Sequence, residues 1–225
     1  MSARKTIFEK TYAGLPLSET IKGESGFNQD ILDAIRHNMD KALETHSQVL
    51  FMLFTFSYPS NGHENQLDNI MLPDAVLPDG NGVFCYFLNQ YVRALNSCGY
   101  DVRYLWCREQ TEGSDRCHYH LALWLDRNEI QYFGSMGQID GYWSQALANF
   151  GIVAQGADTA GLIDRGRYVE NGKTHYLGMT VHRGNAQEYN EVFRRASYLA
   201  KAFSKTGYPA RTRSWGCSER NNGGD

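Results

Sequence analysis

The sequence predicts an α+β domain built on an antiparallel sheet in a ferredoxin-like βαββαβ order, with helices on one face and the other left open for a site. Three observations predict it. Val49 to Tyr58 and Cys117 to Leu125 are runs rich in β-branched and aromatic residues, too short for buried helices. Val83 to Ser97 repeats apolar residues at helical spacing between the first strand and the next. Val102 to Cys107 and Cys117 to Leu125 flank the polar turn Gln110 to Arg116, which makes them a hairpin. Together they give the ferredoxin-like split arrangement, which implies an antiparallel sheet.

In chain order, residues 1 to 27 hold Gly14, Pro16, Gly23 and Gly26 without periodicity and read as an irregular lead-in. Asn28 or Asp30 can cap a helix to about His46, with Ile31, Leu32, Ile35, Met39, Ala42 and Leu43 on its apolar stripe. The first strand stops at Pro59-Ser60-Asn61-Gly62, and a loop with Pro73, Pro78 and Gly80 leads to the second helix, which Gly99 ends. After the hairpin, whose first arm extends to residue 109, Ile130 to Phe133 adds a short edge piece. Asp140 is placed to cap a helix over Tyr142 to Phe150, and Gly151-Ile152-Val153 opens a last strand to about residue 155. Arg167 to Leu177 forms a hairpin turning at Asn171-Gly172. Gln187 to Lys205 reads as one helix with Tyr189, Val192, Phe193, Ala196, Leu199, Ala200 and Phe203 inward. The organisation is an N-terminal extension with one helix (1–47), a single main domain (48–218) and a frayed tail (219–225).

Composition narrows the function classes. A formal net charge of −3 does not by itself announce a nucleic-acid binder. Yet Arg194 to Arg213 carries six positive charges and no acid, a segment able to dock phosphates. Five cysteines in no CxxC spacing fit reduced thiols in a cytoplasm. The polar first eleven residues lack the apolar stretch of a signal peptide, and no apolar run reaches 18 residues, so no membrane partner is expected. No GxxxxGK[ST], GxGxxG or GxSxG is present, which removes a built-in nucleotide motor, a dinucleotide fold and a hydrolase elbow.

The chemistry concentrates on a few residues. His118 and His120 alternate with Tyr119 along a strand, so the two imidazoles share a face. The hairpin turn brings Glu109 beside His118, and two imidazoles with a carboxylate suit Mg²⁺ or Mn²⁺ bound together with a phosphate. A closed zinc site from Cys107, Cys117, His118 and His120 is the competing assignment. Tyr198 and Lys201, three apart on the last helix, share a face, with Lys205 one turn on. A phenol near a bound phosphate can act as a nucleophile, with an ammonium to hold its charge.

Three stretches, in this order, resemble the HUH endonucleases, the rolling-circle replication initiators and relaxases: Phe54-Thr55-Phe56-Ser57, His118-Tyr119-His120 and Tyr198-Leu199-Ala200-Lys201. The resemblance runs closer still to the gene-two-type replication proteins of inoviruses and related prophages, with the YagK/YfjJ C-terminal-type domain. It is carried there by Arg108-Glu109-Gln110, Ser197 to Lys201 and the closing Arg213-Ser214-Trp215-Gly216-Cys217-Ser218, and it spans about residues 48 to 218. The resemblance implies a metal held by His118, His120 and Glu109, a 5′-phosphotyrosine formed by Tyr198, and Lys201 as its orienting or activating partner. It implies single-stranded DNA at an origin as the partner, gripped by Arg194, Arg195, Lys205, Arg211 and Arg213. Thr55 and Ser57 would shape the site or touch the strand. A separate helicase and polymerase of a bacterial host would complete replication in its cytoplasm. Some relatives carry a second tyrosine one turn on; this chain has Ala202 there. The competing functions are a catalytically inactive DNA-binding or regulatory protein on the same fold, and a nucleotidyl transferase, which would want an acidic pair on one strand that this chain lacks.

Overall fold

The computed structural model describes residues 5–19, 26–59, 80–110, 117–130, 138–170, 173–176, 178–202 and 213–218. The elements in order are β1 (Thr6–Ile7), β2 (Thr11–Tyr12), β3 (Leu15–Pro16), β4 (Phe27–Asn28), α1 (Gln29–Thr45), β5 (Gln48–Ser57), α2 (Gly82–Ser97), β6 (Val102–Glu109), β7 (His118–Asp126), α3 (Ile139–Asn149), β8 (Ile163–Asp164), β9 (Arg167–Glu170), β10 (Lys173–Tyr176), β11 (Gly178–His182), α4 (Ala186–Ala196), a 3-10 turn (Ser197–Ala200) and β12 (Trp215–Cys217). The fold is mixed α and β, with antiparallel pairing throughout the described strands.

The main sheet runs β11–β5–β7–β6–β12, and β8 pairs the far end of β5. β11 takes residues Gln48 to Met52 of that strand, and β8 takes Thr55 and Phe56. Alternation along β5, β6 and β7 sorts their side chains into two cores. Leu50, Met52, Phe54, Phe56, Trp106, Tyr119, Leu121, Leu123 and Leu125 face α2 and α3. Val49, Phe51, Leu105, Cys107, Ala122 and Trp124 face α1 and α4. In the first core Phe84 stacks on Tyr119 at 4.3 Å, and Phe56 meets Phe87 and Trp143 at 4.7 and 5.4 Å. Each fully buried ring of this kind contributes roughly 1.5–3 kcal/mol.

α1 forms where expected. The Asn28 side chain accepts from the backbone N–H groups of Asp30 and Ile31, and the predicted apolar stripe is buried apart from Leu43, which is partly covered. α2 ends at Cys98, with Gly99 at φ +86° taking the left-handed turn that stops it.

Several expectations are corrected. Helices cover both faces of the sheet: the face predicted to be open carries α1 and α4, because the stripes of both helices and the second side of each central strand are apolar. Residues 151–155 are turn and bend; Gly151 at φ +70° closes α3, Ile152 and Val153 are buried off the sheet, and the strand that follows α3 is the two-residue β8. Asp140 lies inside the first turn of α3, not at its cap, and pairs with Arg165. The last helix stops at Ala196, tightens into the 3-10 turn and becomes extended at Lys201, which bridges Phe27. The lead-in contains four short strands, with β1 on β4 and β2 on β3. β11 and β12 form the ends of the main sheet order, where the sequence pattern predicts no strand. β9 and β10 pair as the predicted hairpin, while its turn at residues 171–172, the polar turn 111–116, the edge piece 131–133, Phe203 and the tail lie outside the described residues. No helix among the described residues is long and apolar enough to cross a membrane.

Candidate active site

The ladder between β6 and β7 places Glu109 opposite His118 and Cys107 opposite His120, while β5 sets Thr55 opposite His120 and Ser57 opposite His118. By alternation all of these lie on the α1/α4 side, at the end of the sheet that those helices leave partly uncovered. Glu109 Oε2 lies 3.1 Å from His120 Nε2 and 3.9 Å from His118 Nε2. Glu109 and His120 are buried, and His118 is half-exposed. The three residues each offer one ligand atom, all within 4.8 Å of one another.

The donor set fits a divalent cation. His120 Nε2 is buried, with no aligned hydrogen bond among the described residues and with the Glu109 carboxylate 3.1 Å away. A cation in the triad would engage this nitrogen and the carboxylate together. Burial, then the neighbouring His120, hold the His118 pKa below the ordinary histidine value against the opposing pull of Glu109. Both effects favour the neutral imidazole that binds metal. At its other nitrogen, His120 Nδ1 is 3.0 Å from Thr55 Oγ1.

The competing zinc assignment does not survive the alternation. Cys117 packs in the α2/α3 core and Cys107 in the α1/α4 core, on opposite faces of the sheet. Among the described residues the grouping able to hold a metal is Glu109, His118 and His120.

Tyr198 reaches this site from the 3-10 turn. Its ring stands edge-on to His120, with centroids 5.6 Å apart and planes at 77°. Burial, and then Glu109, raise the Tyr198 pKa above the ordinary phenol value. Lys201 is buried, and its Nζ sits 3.1 Å from the centre of the Tyr198 ring. The two are thus juxtaposed as expected, but by a tight turn and a cation–π contact rather than by adjacent positions on one helix. The N-terminal segment holds the turn. Ser18 N donates to Ser197 Oγ at 2.8 Å, Ser197 Oγ donates to Arg194 O at 2.7 Å, and Ala202 N donates to Gly26 O at 3.1 Å. Gly26 has φ +62°, and a Cβ there would lie 2.8 Å from Ile7 O, so only glycine fits. Sequence reasoning missed this seat, since no local pattern joins residues 18 and 26 to 197 and 202.

The family model described as the YagK/YfjJ C-terminal domain matches residues 10–218. The chain belongs to this family. The uncharacterized protein YagK of Escherichia coli (strain K12) is 30% identical over 122 residues, which cover 51% of this chain and 53% of YagK. The chain therefore spans about half the length of that curated relative. A solved structure of the minute virus of mice non-structural protein-1 N-terminal nuclease domain aligns with 78% of this chain and 100% of that one, at 13% identity and a TM-score of 0.37.

In this YagK/YfjJ-family chain the basic residues are unequally placed. Arg194 and Arg195 both bind Glu191, at 2.7 and 3.0 Å, so part of the positive charge at the end of α4 is offset by an acid just upstream of the segment. Arg213 is exposed, and its carbonyl accepts from Asn81 Nδ2. Lys205 and Arg211 lie outside the described residues. Ser57 is partly exposed beside His118.

Proposed function

We propose that this chain is a divalent-metal-dependent, tyrosine-linked DNA nicking and joining enzyme of HUH type, acting on single-stranded DNA to initiate rolling-circle replication of a phage, prophage or other mobile element. The observation that carries the reading is the meeting of the Glu109–His118–His120 triad with the Tyr198 ring. A carboxylate and two neutral imidazoles are a donor set for Mg²⁺ or Mn²⁺. When bound, such an ion polarises the scissile phosphate and offsets its charge.

The chain's own residues supply the rest. Tyr198 Oη forms a bond to phosphorus, the bond from phosphorus to the 3′ oxygen breaks, and the phenol proton ends on that oxygen. The products are a 5′-phosphotyrosine and a free 3′-hydroxyl, which can prime synthesis or return to reseal the strand. Burial first and the Glu109 charge second hold the phenol pKa up, so a cation that offsets the carboxylate would ease the attack without removing the larger effect of burial. Lys201 holds the ring from its face and carries positive charge beside the developing phenolate. Arg194, Arg195, Lys205, Arg211 and Arg213, with Ser57 at the rim, are the candidate contacts to the strand. With Ala202 in place of a second tyrosine, strand closure falls to the released 3′-hydroxyl or to another molecule.

The test is a pool of randomised single-stranded DNA, labelled at its 3′ end, incubated with the chain and Mn²⁺. Wild type should retain label in a protein adduct stable to denaturation, and Tyr198→Phe should retain none. An adduct formed equally by Tyr198→Phe removes the nucleophile assignment, and binding without any adduct points to the inactive DNA-binding alternative.

A further inference from the structure

We propose that Thr55 is a positioning residue for this centre, a two-way hydrogen-bond partner that aims His120 and lets it change tautomer as the ion arrives and leaves. The inference rests on the metal reading above and adds a group that no motif assigns to metal binding.

A neutral imidazole carries one N–H and one lone pair, so the partner at one nitrogen constrains what the other can do. His120 Nε2 is the nitrogen turned to the triad, 3.1 Å from Glu109 Oε2. His120 Nδ1 faces Thr55 Oγ1 at 3.0 Å. To ligate, Nε2 must present its lone pair, which leaves the proton on Nδ1 to be donated to Thr55. Without an ion, the nearby carboxylate favours the proton on Nε2, and Nδ1 then needs a donor. A carboxylate or carbonyl at Nδ1 could serve only the first state, but a hydroxyl serves both by rotating its own proton.

The framework keeps this hydroxyl where it is needed. Thr55 is opposite His120 in the β5–β7 ladder and is also paired to Asp164 of β8, so its backbone is fixed from both sides. Its branched Cβ allows few rotamers. Thr55 also sits between the buried Phe54 and Phe56, whose rings anchor the strand on the opposite face. The hydroxyl therefore stays beside Nδ1 through both states, with little entropy lost when the ion binds.

The experiment is calorimetric titration of the full chain with Mn²⁺ at about pH 8, where imidazoles are neutral. It is paired with ¹⁵N spectra of the His120 ring in metal-free and Mg²⁺-saturated protein. Outer partners of metal-bound histidines typically account for roughly 10–100-fold in affinity. Thr55→Val should weaken Mn²⁺ by that factor, and Thr55→Ser should restore most of it. The wild-type ring should move from an Nε2–H to an Nδ1–H tautomer on loading. Equal Mn²⁺ affinity in wild type and a folded Thr55→Val sinks the proposal. If that variant does not fold, one tautomer in both wild-type spectra sinks it instead. Failure of the metal reading looks different: wild type binds no Mn²⁺, or His120→Ala binds as well as wild type.

Discussion

The two halves of the candidate site are built in opposite ways. The metal half stands on β6 and β7, whose eight-pair ladder fixes Glu109, His118 and His120 in a register that cannot slip by one residue without reversing every buried side chain. The tyrosine half stands on a single 3-10 turn, held by Ser18, Gly26 and the bridge from Phe27 to Lys201. The difference teaches a division of labour. The proposed ligands, which would have to meet one ion within tenths of an ångström, sit on a long strand ladder. The proposed nucleophile sits on a short buried turn whose restraints come from the distant N-terminal segment rather than from a ladder.

The largest expected effect comes from breaking the stiff half. His120→Ala removes a buried proposed ligand and should lower Mn²⁺ affinity by about 100-fold or more, abolishing the DNA adduct with it. Titration calorimetry reads the first result and a denaturing gel the second. If the halves are independent, the thermal midpoint of the metal-free variant should change far less than either. Next in size is pH. Protons compete with the ion for His118, and burial with the neighbouring His120 holds its pKa below the ordinary value. Neutral imidazole is therefore retained to lower pH than usual. For the His118 contribution, the fall in Mn²⁺ affinity on acidification should set in at lower pH than for an ordinary imidazole ligand, approaching tenfold per unit for one displaced proton. The check is the His118 ring itself, followed by NMR in the metal-free protein: titration at or above the ordinary histidine value contradicts the direction of that shift.

The same contrast governs what could be read from the sequence. The metal half is legible because strand alternation is local: His118-Tyr119-His120 states its own geometry, and one hairpin suffices to bring Glu109 across. The tyrosine half is not, because helical spacing through Phe203 outlasts the helix. Leu199 and Ala200 stay buried after Ala196, so the apolar pattern persists while the backbone tightens and then turns extended at Lys201. What ends the helix is contact with residues 18 to 27, some 180 positions away, which no periodicity encodes. The covered second face escaped for a related reason. Val49, Phe51, Ala122 and Trp124 make their strands apolar on both sides, a pattern that admits a second helical layer, but helix order alone places α1 in an N-terminal extension.

Predictions for the tyrosine half should leave the ion untouched. Lys201→Ala removes a buried ammonium from the Tyr198 ring. A desolvated contact of this type is worth about 2 kcal/mol, or about 30-fold. Adduct formation at saturating Mn²⁺ should slow by roughly that factor, with Mn²⁺ affinity within about twofold of wild type by calorimetry. Lys201→Arg keeps the charge and should recover part of the rate. Loss of Mn²⁺ binding in Lys201→Ala would join the two halves into one unit and end the comparison.

The smallest effect expected is at Ser197, which touches neither the ion nor the tyrosine ring in the contacts described. Its buried hydroxyl accepts from Ser18 N and donates to Arg194 O. Ser197→Ala strips Ser18 N–H of this acceptor and frees the Arg194 carbonyl from one bond, a cost of about 1–2 kcal/mol. For a chain of this length that lowers Tm by roughly 2–8 °C. Because the bond ties the nucleophile turn to the N-terminal segment, the adduct rate should fall a few-fold while the Mn²⁺ isotherm stays superimposable on wild type. Ser197→Thr, which keeps the hydroxyl, separates this bond from a packing effect: restored stability with an unrestored rate would mean that the turn needs the smaller side chain rather than the tie to Ser18.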